Sequence, residues 1–316
     1  MARSKYNGRN SKTVTDVFEI ARSAAPGSKI LKDFPMSEYA TFKTGGNASA
    51  VIKVFDRDEF ISLLDEYSRN NVDFIVLGKG SNILISDSGI GIPVIIPSFN
   101  SIYLKEDNLI YVQAGCSLKS VANFAAKNNL TGFEFAAGIP GSLGGGIIMN
   151  AGAYGGELKD RVTSIDVWSA KNGFRTVEAK DADFAYRHSA FADNGDIVLG
   201  AHIELKKGKS EDIYSLMSEL AEKRRLKQPM NMPSAGSTFK RPKGHYAGAL
   251  IEMCGLKGVN IGGAQVSEKH GGFIVNAGGA TSADVYDLIN YVIKTVKKKT
   301  GIELEPEIRF IGDFGC

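Results

Sequence analysis

A chain of 316 residues, 43% of them apolar, is long enough for two or three domains and has the composition of an ordinary globular protein. Its 38 basic and 35 acidic side chains leave a formal charge of only +3, too balanced to point to nucleic acid, and no apolar run is long enough to insert in a membrane. Cys116, Cys254 and Cys316 are odd in number, widely spaced and form no CxxC, so reduced thiols and a cytoplasmic setting are expected. His188, His202, His245 and His270 show no metal-ligand spacing, and no metal is expected.

The N-terminus, MARSKYNGRNSK, is basic and polar with no apolar stretch behind it, which reads as a solvated arm rather than a secretory signal. AVIKVF (50–55) reads as a strand. Phe60, Leu63, Leu64 and Tyr67 then fall at helical spacing and predict an amphipathic helix over 57–70. DFIVLG (73–78), ILIS (83–86), PVIIPS (93–98) and LIYVQAG (109–115) read as short strands. Leu118, Val121, Ala122 and Ala125 repeat the helical spacing behind Ser117, a predicted N-cap. VTSIDVWSA, RTVEAK and IVLGAHIEL (197–205) read as antiparallel strands, with a turn at Asn172-Gly173.

Composition changes at the polar KKGKSED, near residue 207. Ile213, Leu216, Met217 and Leu220 mark a helix. Prolines and glycines then forbid a long helix in 225–244. Residues 246–254 and 281–300 read as helices. The second opens on a Thr281–Asp284 pairing like a capping box, buries Val285, Leu288, Ile289, Val292 and Val296, and ends on three lysines. IELEPEIRFIG (302–312) reads as a closing strand interrupted by Pro306.

Two glycine-rich stretches stand out. GKGSN (78–82) follows a strand, but Ile83 replaces the glycine a dinucleotide fingerprint requires, no helix pattern follows, and no P-loop is present. It is either a structural turn or a set of bare amides open to an anion. GIPGSLGGGIIMNAGAYGGE (138–157) mixes eight glycines with Ile139, Ile147, Ile148 and Met149. Bare backbone beside apolar side chains suits a large, flat, partly charged cofactor; a tight buried crossing of strands is the structural alternative.

LGKGSN (77–82) together with residues 138–157 resembles the FAD-binding half of the UDP-N-acetylenolpyruvoylglucosamine reductases, flavoproteins of the vanillyl-alcohol oxidase group. TFKTGGNA (41–48), FAYRHSAF (184–191), PSAGSTFKRP (233–242), GLKGVNIGGAQVSEKHGGFIVN (255–276) and LEPEIRF (304–310) resemble further motifs of that family, in order, over nearly the whole chain past residue 27. The gap between Arg187 and the strand at 197 is short, which resembles the subclass without a uridine-clamping tyrosine loop.

The resemblance implies an α+β protein: an arm or helix over 1–26, a two-subdomain FAD-binding fold of the PCMH type over 27–206 (27–98 and 99–206), and an α+β substrate domain over 207–316. The last strand, 304–312, would return to the active site. It implies non-covalent FAD, NADPH as hydride donor, and reduction of UDP-N-acetylglucosamine enolpyruvate to UDP-N-acetylmuramate by a monomer. Arg187, Ser237 and Glu307 match the catalytic arginine, proton donor and glutamate. An arginine fork suits a carboxylate. An anionic glutamate beside developing negative charge is costly, so Glu307 is expected to be protonated or hydrogen-bonded in turnover. Cofactor contacts are implied for Gly78, Lys79, Gly80, Ser81, Asn82, Gly138, Ile139, Gly141, Ser142, Gly145, Asn150 and Ala151. Substrate contacts are implied for Lys240 and Lys257. No histidine precedes His188, and Cys116 is expected at a strand end away from the glycine loops, so no flavin tether is expected. The alternative is another flavin oxidase or dehydrogenase of the same fold, against which the set of Ser237, Arg187 and Glu307 speaks, because an oxidase needs a base rather than a proton donor. A non-catalytic flavin or nucleotide-sugar sensor is a third reading, which the intact set disfavours.

Overall fold

Helix signals in the sequence translate directly into structure. The computed structural model describes residues 14–315; the solvated arm expected at MARSKYNGRNSK, and Cys316, lie outside them. Helix α1 spans Val14–Ala24, and α2 Arg57–Arg69 and α3 Leu118–Lys127 carry the expected apolar faces. Asp56 caps α2, accepting from the amides of Asp58 and Glu59, and Ser117 caps α3, accepting from Ser120. The chain contacts group into two units. The first takes residues up to Lys32, Ala50–Gly78 and Ile92–Leu220; the second takes Asp33–Ser49, Lys79–Gly91 and the residues from Ala221 on.

In the first unit an antiparallel five-stranded sheet runs in the order Gly173–Glu178, Val162–Ser169, Ile197–Glu204, Leu109–Gln113, Ile102–Leu104. A parallel set joins Asn47–Val54 and Ile75–Val76 to Val94–Pro97, with Val51 and Ile75 both opposite Val94. One core of buried residues serves both, including Phe60, Leu63, Tyr67, Ile95, Ile110, Val121, Ile147, Ile165 and Leu199. A short helix, α4 Leu143–Ile148, lies inside the glycine-rich stretch, where composition alone gives no helix. Glycine costs about 1 kcal/mol per helical position relative to alanine, so α4 exists by tertiary contact rather than propensity. Its Gly144 amide donates to the Ala114 carbonyl at 3.0 Å, and Leu143 to Cys116 at 2.8 Å.

Helix α5, Ser210–Lys227, begins in the first unit and ends in the second. It is longer than the sequence spacing indicated, and of the four apolar residues that marked it only Ile213 is buried. Its remaining faces are rich in charge, which explains why the expected stripe is not a core seam.

The second unit packs α6 Ala247–Met253 and α7 Ser282–Thr300 on a three-stranded antiparallel sheet, Asn260–Ile261, Ala264–Val266 and Ile274–Asn276. The Thr281–Asp284 capping box forms in full, and Gly301 closes α7 at φ 75°. The unit is not contiguous in sequence. Residues 33–49 and 79–91 belong with the C-terminal residues because Phe42 and Leu84 sit in that core. Ile83–Ile85 also pairs in parallel with Arg309–Ile311. The closing strand is thus shorter than 304–312. Residues 305–307 instead hydrogen-bond to 238–240, with Pro306 bridging Phe239. No described helix is long and apolar enough to cross a membrane.

Candidate active site

In the first unit the three consecutive glycines of α4 have different surroundings. A Cβ on Gly144 would lie 3.1 Å from Ala114 Cβ, and one on Gly146 3.0 Å from Leu158 Cδ1. A Cβ on Gly145 would meet only Ser142 Oγ, at 3.6 Å. Gly144 and Gly146 therefore face the fold, and Gly145 presents bare backbone. Gly78 approaches from the strand side, where a Cβ would fall 2.5 Å from Ser142 Oγ. Gly141 has φ 146°, open to glycine and strained for other residues. Ser142 is buried, Ile139 half-buried against the main core, Ala151 half-buried and Gly138 exposed. Gly78, Ser142, Gly145 and Ile139 thus combine bare backbone with apolar wall, the chemistry that suits a large, flat, partly charged cofactor. Cys116 borders this stretch through its carbonyl, contrary to its expected distance from the loops. Its thiol is buried and donates to the Ser101 carbonyl at 3.4 Å, so it presents no nucleophile.

Asn150, expected as a cofactor contact, spends its side-chain amide on the protein. It is fully buried, and its amide nitrogen donates to the Ala185 carbonyl at 2.9 Å and to Glu157 Oε2 at 3.1 Å. Its oxygen accepts from the Lys159 amide at 3.0 Å. With both ends of the amide spent on protein, Asn150 ties the glycine stretch to the FAYRHS turn. Ser189 Oγ adds a bond to the Ile148 carbonyl. Arg187 stands at the tip of that turn, closed by reciprocal bonds between Ala185 and His188. Its φ is 54°, a left-handed value that costs a non-glycine residue about 1–3 kcal/mol when the surroundings enforce it. The guanidinium donates to the Gly152 carbonyl at 2.9 Å and lies 5.0 Å over the Tyr186 ring.

In the second unit the GSTFK and LEPE segments run side by side. The Glu307 amide donates to the Thr238 carbonyl at 2.8 Å, and the Lys240 amide to the Glu305 carbonyl at 2.8 Å. This register sets Glu307 opposite Thr238, the residue after Ser237; Ser237 and Glu307 are both half-buried. Ser237 Oγ donates to the Phe239 carbonyl at 3.2 Å. The GKGSN loop supports the same place. Asn82 Nδ2 donates to the Glu307 carbonyl at 3.2 Å, and its own carbonyl accepts from the Arg309 amide at 3.0 Å. Gly80, at φ 67°, packs on Tyr39 and Ala40, and its carbonyl accepts from the Thr41 amide at 3.1 Å. Lys79 is exposed and Ser81 half-buried. Asn82 and Gly80, both expected as cofactor contacts, make these protein contacts. Lys240 pairs with Glu305, and Lys257 with Glu252 at 3.2 Å.

Sequence reading missed two features here. Thr238 is fully buried, accepts from the Ile274 amide through Oγ1 and donates its own amide to the Gly272 carbonyl at 2.8 Å. TFKTGGNA is structural: Thr44 Oγ1 accepts from Ser282 Oγ at 2.8 Å, and a Cβ on Gly46 would fall 2.2 Å from the Asp87 carbonyl. Asp87 in turn accepts from the Ser282 and Ala283 amides, capping α7. Neither role has a sequence signal beyond a polar or glycine residue in a loop.

Residues 48–177 match a family model described as an FAD binding domain, and residues 228–311 match the model of the UDP-N-acetylenolpyruvoylglucosamine reductase C-terminal domain. The UDP-N-acetylenolpyruvoylglucosamine reductase of Caldanaerobacter subterraneus subsp. tengcongensis is 47% identical over 286 residues, covering 90% of this chain and 94% of that protein. The Lactobacillus acidophilus protein of the same name is 43% identical, covering 93% and 99%. The crystal structure of the Thermus caldophilus reductase superposes with a TM-score of 0.77 at 33% identity, covering 90% of this chain and 99% of that one. These matches span both glycine-rich stretches and the segments bearing Arg187, Ser237 and Glu307. The chain belongs to the UDP-N-acetylenolpyruvoylglucosamine reductase family.

Proposed function

We propose that this protein reduces the enolpyruvyl ether of UDP-N-acetylglucosamine to UDP-N-acetylmuramate, a step of peptidoglycan precursor synthesis, with FAD bound non-covalently and NADPH as hydride donor. It would act in the cytoplasm, as a monomer. FAD, when bound, supplies the two-electron relay between the reduced nicotinamide and the alkene. Gly78, Gly141, Ser142, Gly145 and Ile139 would hold it, with Gly138 and Ala151 at the margin.

The observation that carries the reading is the backbone pairing of GSTFK with LEPE, which brings the segments bearing Ser237 and Glu307 together on a backbone locked by Thr238. As the alkene is reduced, charge gathers on the pyruvyl carboxylate. The Arg187 guanidinium holds that carboxylate and stabilises the charge; removing one such donor costs about 10²–10³ in rate. The Ser237 hydroxyl gives its proton to the adjacent carbon. Serine is a weak acid, but an enolate is a strong base, so the transfer runs downhill. Glu307, beside it, keeps the site from accumulating uncompensated charge by serving as a hydrogen-bonding partner. Lys240 and Lys257 would leave their glutamate partners to meet the substrate diphosphate, as point cations suit.

Stopped-flow measurement of the two halves tests this. Ser237→Ala is expected to leave flavin reduction by NADPH within about tenfold and to slow flavin reoxidation by the enolpyruvyl substrate by about 10²–10⁴-fold. Ser237→Cys should recover part of the rate. Equal slowing of both halves would remove Ser237 as the donor, and a wild-type protein whose reduced flavin ignores the substrate would refute the function.

A further inference from the structure

His270 is a half-buried ionisable side chain that the proposed chemistry leaves without a task. It sits on a turn with no slack. A Cβ on Gly271 would fall 2.7 Å from the Gly248 carbonyl, and one on Gly248 3.1 Å from the Gly272 amide nitrogen and 3.2 Å from His270 Cε1. The turn is thus seated directly on α6. Its ring edge meets Phe273, with centroids 5.0 Å apart.

Ring Nδ1 accepts from the Gly272 amide at 3.1 Å. Gly272 then accepts from the Thr238 amide at 2.8 Å, and Thr238 accepts from the Glu307 amide at 2.8 Å. A single chain of bonds therefore runs from the imidazole to the backbone of both Ser237's neighbour and Glu307. Gly272 also separates ring from hydroxyl: a Cβ there would lie 3.0 Å from His270 Cε1 and 3.6 Å from Ser237 Oγ.

We infer that His270 is a positioning residue for Ser237 and Glu307: its unprotonated Nδ1 latches the Gly271–Gly272 turn onto Thr238, and protonation of the ring releases the latch. The inference rests on the reading of Ser237 as proton donor. An accepting Nδ1 fixes the neutral tautomer with the proton on Nε2. A second proton would set N–H against N–H, and the Gly272 amide, held on both sides, has nowhere to turn. The surroundings favour the neutral ring. Burial pushes its pKa down and outweighs a hydrogen bond to its own backbone, which raises it; the Lys257 ammonium adds to the depression, and Glu252 opposes it. Lys257 and Glu252 pair with each other, and Lys269 points to the Arg225 carbonyl.

The test uses the full-length FAD-loaded protein and two variants. His270→Ala removes the acceptor; His270→Asn keeps an acceptor near Nδ1 and cannot titrate. His270→Ala is expected to slow reoxidation of reduced flavin by the enolpyruvyl substrate about 10²-fold, the cost of a misplaced group, through kcat rather than KM. Flavin reduction by NADPH should stay within about twofold. His270→Asn should restore most of the rate at pH 8 and lose the part of the acid limb that His270 supplies below about pH 6.5. An alanine variant as fast as wild type, or an asparagine variant with the wild-type acid limb, overturns the inference. Nitrogen-15 NMR of the imidazole gives a second readout independent of turnover. The Nε2–H tautomer at pH 8 is expected, and an Nδ1–H tautomer overturns the latch. If wild type fails to reduce the substrate at all, the proposed function fails, while the tautomer still decides the latch.

Discussion

The three glycines of α4 invite a comparison in which the structure assigns opposite signs to neighbouring substitutions. In Gly145→Ala the new methyl meets only Ser142 Oγ, at an ordinary 3.6 Å. Alanine is favoured over glycine in a helix by about 1 kcal/mol, so the apoprotein should gain up to that much. In Gly144→Ala the methyl lies 3.1 Å from Ala114 Cβ, which cannot rotate away, and the same two residues are tied by a 3.0 Å backbone bond. Overpacking of this kind costs about 1–3 kcal/mol, which the helix term only partly offsets.

The two variants should therefore differ by about 1–3 kcal/mol in apoprotein stability, or a few degrees in Tm at about 2–4 °C per kcal/mol. FAD should rank them the other way. A methyl on the bare face of α4 blocks backbone approach, and Gly145→Ala should weaken flavin binding by at least about tenfold, equal to about 1.4 kcal/mol. Thermal melts of the apoproteins and titration by quenching of flavin fluorescence read the two effects separately. Wild-type flavin affinity in Gly145→Ala would show that this face holds no flavin. A melt as low as that of Gly144→Ala would refute the assignment of which glycine faces the fold.

Asn82→Ala removes the bond to the Glu307 carbonyl, so it should slow reoxidation by the substrate about tenfold while flavin occupancy stays full; loss of flavin first, seen in the absorption spectrum, would return Asn82 to the cofactor site. Asp87→Ala removes the acceptor for two amides at the start of α7 and should lower stability by about 1–2 kcal/mol, read as a drop in denaturant midpoint with unchanged slope. His270 gives a stability signature as well. Its folded pKa lies below the ordinary 6.5, so the unfolded chain binds the proton first as pH falls. Its stabilising contribution is full above pH 6.5 and is lost progressively down to the folded pKa; His270→Asn should flatten that segment of the Tm–pH curve, and an unchanged slope would exclude the shift.

What the sequence showed and what it hid divide along physical lines. Helices with a strong apolar period and a capping residue were legible: Asp284 substitutes for glutamate in the α7 capping box, and Ser117 caps α3 as its position indicated. Helix α4 was hidden because glycine suppresses the local signal, and the contacts that enforce it, from Ala114, Leu118 and Leu158, come from outside the stretch. The closing strand was overextended because the apolar pattern runs through 302–312, while Pro306 has no amide to continue a ladder and the chain changes partner there. The α5 stripe misled for the opposite reason: spacing alone does not say whether a face has a neighbour.

The motif segments contain many residues whose bonds go to other backbone, and the reason is physical. A reacting group must be held within about half an ångström, which requires that its backbone be fixed by other backbone. Ser237 is a short side chain with little reach, so its placement is the placement of Thr238, and Thr238 is fixed from three directions by Gly272, Ile274 and Glu307. Glu307 is held again from GKGSN by Asn82, and Arg187 from the glycine stretch by Asn150 and the Gly152 carbonyl. Glycines 248 and 271 then follow from packing, since any side chain there would lift the His270 turn off α6, and a side chain on Gly272 would crowd the His270 ring. A loop motif such as GKGSN therefore carries two kinds of information, and the backbone bonds of each residue, more than its type, decide which kind it holds.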